Sequence, residues 1–157
     1  MKKIKVKIEV SSRHLHVDRK DLDKLFGKNY ELTPFKKLSQ KGEFSAKETV
    51  TLKNGSSEIQ NVRIVGPVRT ETQVELSLTD AYKLKIKPPV RISGDIKKSV
   101  GTTLIGPKGK IVLKEGVIIA ARHIHLSAVD AKKYSLKNGQ WVYVQVPGKR
   151  GVIFENV

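Results

Sequence analysis

The chain has 157 residues, 38% of them hydrophobic, which suits one large domain or two small ones sharing an interface and excludes a disordered chain. It holds no cysteine, so disulfides, thiolate metal ligands and a cysteine nucleophile are excluded, and any reactive thiol belongs to a substrate. With 31 Lys+Arg against 15 Asp+Glu the formal net charge is +16, a field that draws polyanions such as nucleic acid, headgroups or a phosphate-rich small molecule. The lysines are spread along the chain, and its few tyrosines and phenylalanines form no ladder on which bases could stack. No apolar stretch approaches the roughly 20 residues of a membrane span, so the expected location is the cytoplasm.

Residues 3–10 alternate with period 2 and predict a half-buried strand with Ile4, Val6, Ile8 and Val10 inward. Residues 18–26 predict a short helix capped by Asp18, with Leu22, Leu25 and Phe26 on one side and Gly27 as its stop. Leu32-Thr33-Pro34 marks a turn or edge strand within 30–37. Strands follow at 48–53 and 59–65 around Asn54-Gly55, a hairpin turn, and then at 72–79. Lys87-Pro88-Pro89 breaks regular structure before residues 90–95. A second series comprises strands at 102–105, 110–114 and 117–125, a helix at 127–134, and strands at 140–146 and 151–154. Many short strands with Gly/Pro turns and few helices predict a mainly β protein built from small β-barrels with short capping α-helices.

All four histidines fall in two copies of one tetrapeptide, Arg13-His14-Leu15-His16 and Arg122-His123-Ile124-His125. Each copy follows an apolar run and precedes a helix start, so the chain holds two related strand-to-helix units. Histidines at i and i+2 of a strand share one face and can grip one metal ion. A lone strand histidine is more often packed or exposed than ligating, but two matched pairs reverse that judgement. Arg13 and Arg122 read best as structural, bonding carboxylates or carbonyls near the metals.

The strings Ser12-Arg13-His14-Leu15-His16, Glu31-Leu32-Thr33-Pro34, Glu48-Thr49-Val50, Asn61-Val62-Arg63-Ile64-Val65-Gly66-Pro67, Arg69, Thr72-Gln73-Val74-Glu75-Leu76-Ser77, Ser93-Gly94-Asp95 and Ala121-Arg122-His123-Ile124-His125-Leu126-Ser127 closely resemble, in the same order, the PduL-type phosphotransacylases, or phosphate propanoyltransferases. The resemblance implies a zinc-dependent phosphate acyltransferase that moves a short acyl group, acetyl or propanoyl, between coenzyme A and inorganic phosphate. It implies two zinc ions between two β-barrel domains, with the active site at their junction. The first domain is then 13–120, and the second joins 1–12 with 121–157. His14, His16 and Glu75 would hold one zinc, and His123 and His125 would begin the second site. Glu75 lies on the face of 72–79 opposite Val74 and Leu76, which permits this role. Arg69 is the expected catalytic residue, its planar fork suited to phosphate. Ser11, Lys36 and Arg63 are the candidates for holding coenzyme A. Direct attack of the coenzyme A thiolate on a metal-held acyl phosphate is the mechanism expected.

Family members usually continue beyond the strand matching 152–157 into a histidine-bearing segment that completes the second zinc site. This chain stops at Val157 with no histidine after His125, so its second site is expected to be incomplete. The resemblance also suggests a homodimer. Relatives in bacterial microcompartments can carry an N-terminal targeting extension, of which none is visible before Lys3. Two alternatives are a basic β-barrel that binds nucleic acid, and a truncated, inactive relative acting as a binding module.

Overall fold

The computed structural model describes residues 4–157, so Lys3 of the expected opening strand lies outside the described residues. Two compact units divide the chain, Met1–Ala120 and Ala121–Val157. The protein is mainly β, and among the described residues no helix is long and apolar enough to cross a membrane.

In the first unit, β1 (His14–His16) leads into helix α1 (Arg19–Phe26). Asp18 caps that helix by accepting from the Asp21 amide at 2.7 Å, and Gly27 ends it at a φ of 112° that side-chain-bearing residues rarely adopt. Leu22, Leu25 and Phe26 turn to the core as the apolar spacing requires. The edge strand β2 (Pro34–Lys37) pairs with β3 (Phe44–Asn54), which turns through Gly55 into β4 (Ser57–Gly66). Asn54 faces Ser57 across that two-residue turn, and Gly55 has φ 56°. Alternation, shifted by an irregularity where Asn61 has φ 58°, places Val50, Leu52, Ile59, Val62 and Ile64 in the core.

After β4 come β5 (Gln73–Glu75), helix α2 (Leu78–Lys83), β6 (Val90–Arg91), β7 (Thr103–Ile105), β8 (Lys110–Val112) and β9 (Val117–Ala120). The strands form one curled, mixed sheet in the order β6-β9-β5-β1-β4-β3-β7-β8, with β2 beside β3. β1 is therefore interior, parallel to β4 through Leu15↔Ile64 and antiparallel to β5. The β7–β8 turn crosses the last turn of α1: a Cβ on Gly106 would lie 2.5 Å from the Leu25 carbonyl oxygen, and one on Gly109 2.6 Å from that of Lys24. Glycine at both positions lets the Lys108 amide donate to the Leu25 carbonyl at 3.0 Å.

In the second unit, helix α3 (Ala128–Tyr134) is capped by Ser127, whose hydroxyl accepts from the Asp130 amide at 3.0 Å. Strands β10 (Val144–Val146) and β11 (Val152–Phe154) pair antiparallel, and Val142 and Val157 exchange two further backbone hydrogen bonds.

Several expected elements differ: the strands expected at 110–114 and 140–146 are shorter, at Lys110–Val112 and Val144–Val146, and three others change more. Residues 4–10 are irregular and pair with no strand among the described residues, and Val6, Ile8 and Val10 are exposed. Alternation selects a face, but a strand also needs a neighbouring edge. The expected strand 72–79 ends at Glu75, because Ser77 accepts from the Asp80 amide and starts α2, leaving Leu78 exposed rather than beside Val74. The expected strand 117–125 ends at Ala120, so His123 and His125 lie in an irregular segment.

Candidate metal centre

The register of β1 against β5 sets His14 opposite Glu75, Leu15 opposite Val74, and His16 opposite Gln73. Directly opposed residues share a face, so His14, His16, Gln73 and Glu75 form a square block on one side while Leu15 and Val74 enter the core on the other. Donor atoms of His14, His16 and Glu75 all lie within 4.8 Å of one another, and the His14 Nε2 to Glu75 Oε2 separation is 3.5 Å. His16 and Glu75 are buried and His14 is partly so. Among the described residues this is the one group of three or more histidine or carboxylate side chains gathered closely enough to hold a metal.

The surroundings prepare the donors. His16 Nδ1 lies 3.0 Å from the Val65 carbonyl oxygen, and donation there leaves Nε2 with its lone pair for an ion. Burial first, then the positive charges of Arg69 and His14, push the His16 imidazole down to about 3, so it is neutral at ordinary pH, the form that ligates. The Ser11 hydroxyl stands 3.2 Å from His14 Nδ1, an equivalent orienting contact. Arg13 reaches buried Asp80 at 3.1 Å, and Asp80 also accepts from Ser77 at 2.8 Å, which ties the start of β1 to α2. Two imidazoles and a carboxylate fit a divalent transition ion with an open position left for substrate.

Arg69 donates from its backbone to Val17 and pairs through its guanidinium with Glu43 at 2.7 Å. Its charge is one of the causes that lower the His16 pKa, after burial. Arg63, on β4, donates to the carbonyls of Ala46 at 2.7 Å and Lys47 at 3.1 Å and lies over the exposed Phe35 ring. Lys36 is exposed on β2 and is not part of the triad. In the second unit, His123 and His125 face each other with their Nε2 atoms 2.9 Å apart, and His123 Nδ1 lies 2.7 Å from the Ala121 carbonyl oxygen, so two imidazole nitrogens converge there. Arg122 lies over the Phe154 ring. Sequence reasoning did not single out Gln73, Asp80 or Glu43. For Gln73 the pointer was present, since it shares the face of Glu75 two residues on.

A mainly β scaffold carrying a histidine–carboxylate cluster able to hold a metal ion is the class of protein these features define. The phosphate propanoyltransferase family profile matches residues 7–157. Phosphate propanoyltransferase of Thermotoga maritima is 52% identical over 151 residues, covering 96% of this chain and 72% of the relative. The proteins of the same name from Rhodobacter capsulatus and Lachnoclostridium phytofermentans are 46% and 50% identical, each over 97% of this chain and 71% of the relative. The chain belongs to the phosphate propanoyltransferase family.

Proposed function

We propose that this protein is a zinc-dependent phosphate acyltransferase that moves a short acyl group, propanoyl or acetyl, between coenzyme A and inorganic phosphate. The observation that supports it most is the His14–His16–Glu75 cluster on facing strands of a chain that belongs to the phosphate propanoyltransferase family. Held by those three side chains, zinc supplies Lewis acidity and favours thiolate over thiol.

The protein's residues do the positioning. The Arg69 guanidinium, which bonds the Glu43 carboxylate, presents the same fork to phosphoryl oxygens and keeps its charge at any working pH. In the direction of acyl phosphate formation, a phosphate oxygen bonds to the acyl carbon, the C–S bond breaks, and the sulfur leaves with the electron pair as coenzyme A thiolate. Lys36, Arg63 and Ser11 are the residues this reading assigns to coenzyme A, the two cations to its phosphates, and the Ser11 hydroxyl also stands 3.2 Å from His14 Nδ1. His123 and His125 begin a second zinc site in this reading, with 13–120 as one barrel domain and 1–12 with 121–157 as the other. The comparisons lend no support to the nucleic-acid alternative.

The test is thiol release from propanoyl-coenzyme A, followed with and without phosphate. Release that requires phosphate, and that is abolished by a chelator and by Arg69→Ala, is the expected result. Activity indifferent to both treatments refutes the site. Metal content separates the intact centre, at two zinc ions per chain, from the inactive-relative alternative, at one.

A further inference from the structure

We propose that Gln73 is a positioning residue that aims the Glu75 carboxylate, and so sets the affinity and geometry of the metal centre. The inference rests on the reading of His14, His16 and Glu75 as ligands, but concerns a side chain that cannot itself complete that triad. Gln73 is buried on β5 opposite His16. Its Nε2 donates to Glu75 Oε1 at 2.7 Å and to Ser93 Oγ at 2.9 Å, and its Oε1 accepts from the Gly94 amide at 2.7 Å.

These partners fix the amide's orientation. Turned over, it would set a carbonyl oxygen against a carboxylate oxygen and an NH2 against an N–H, two repulsive contacts in place of two bonds, while the Ser93 hydroxyl could bond either way. The consequence falls on Glu75. Its Oε1 is engaged by Gln73, so Oε2, 3.5 Å from His14 Nε2, is the oxygen offered to an ion. The carboxylate is thereby held for one-oxygen ligation instead of rotating between its two oxygens. The same amide ties the Ser93-Gly94 turn, which follows β6, to the metal ligands, giving that part of the sequence a role in the site. Removing this donor leaves a buried carboxylate oxygen without its hydrogen bond, which is costly.

The test uses the whole chain, stripped of metal, titrated with zinc against a chromophoric chelator and with Co2+ followed by its visible absorption. Gln73→Leu is expected to weaken zinc binding at the triad by about 10- to 100-fold and to change the Co2+ spectrum. Gln73→Asn, which keeps an amide but withdraws it by one methylene, is expected to do the same and serves if the leucine variant does not fold. His16→Ala provides the reference for loss of the site. If His16→Ala lowers zinc uptake while the folded Gln73 variants keep wild-type affinity and spectrum, the positioning role is wrong and the triad stands. If His16→Ala leaves zinc uptake unchanged, the triad reading itself fails and takes the role of Gln73 with it.

Discussion

Removing the Arg13 guanidinium tests how β1 is anchored. Arg13 lies 3.1 Å from Asp80, whose side chain is 5% exposed while that of Arg13 is 40% exposed. Breaking a fully buried pair by deleting one partner costs about 3–5 kcal/mol, because the other charge is left uncompensated. Here water reaches the arginine side and Asp80 keeps the Ser77 hydroxyl at 2.8 Å, so Arg13→Met should cost about 2 kcal/mol, roughly a thirtyfold change in the folded-to-unfolded ratio. The charge itself is responsible, which gives a sharper expectation. Asp80→Asn should destabilise the wild type by about 1 kcal/mol, yet restore stability when added to Arg13→Met, since the stranded carboxylate is gone. Urea unfolding of the metal-free protein, monitored by circular dichroism, reads all four corners of this cycle. Equal destabilisation by Asp80→Asn in both backgrounds would refute the reasoning.

Three other perturbations probe separate parts of the molecule. Gly101→Ala should lower stability by several kcal/mol, measured by thermal melting, because its Cβ would stand 1.9 Å from the backbone oxygen of Leu113, where no flexible side chain can yield. Burial pushes the Glu48 carboxyl up, but its own amide and hydrogen bonds from Thr33 and Tyr30 outweigh this and hold it below the ordinary value. Its contribution is then present above the unfolded value of 4.5 and is lost as pH falls through the lower folded one, so Glu48→Gln should flatten the acid limb of a stability–pH curve. Glu43→Gln should lower the KM for phosphate about 2- to 5-fold in steady-state kinetics with little change in kcat, because a partly exposed pair worth about 0.5–1 kcal/mol no longer competes for Arg69; an unchanged or raised KM would separate Arg69 from phosphate.

What could be read from sequence was what is encoded locally. The Asp18 cap, the Gly27 stop and a hairpin after 48–53 each depend on residues a few positions apart and each is present, although the turn falls at Gly55-Ser56, one residue beyond the expected Asn54-Gly55. The approach of Glu75 to His14 depends on strands far apart in sequence, and the family resemblance supplied what periodicity could not. Residues 4–10 show the opposite case, where a clean alternating pattern lacks a pairing edge among the described residues. The start of α2 was missed because β-like alternation in 72–79 masked the Ser77-to-Asp80 cap. Glu43 and Asp80 were invisible as partners because their bonds reach across the fold to Arg69 and Arg13, and of Gln73 only the local pairing with Glu75 was legible, not its bonds to the Ser93-Gly94 turn.

β1 is only three residues long, but it is hydrogen-bonded along both edges, to a parallel neighbour on one side and an antiparallel one on the other. The distance between its two imidazoles is thus inherited from the pleat rather than from any loop. Surrounding loops can change length or chemistry without altering the spacing of the two imidazoles, whereas a single inserted residue between His14 and His16 would turn one imidazole inward and one core leucine outward.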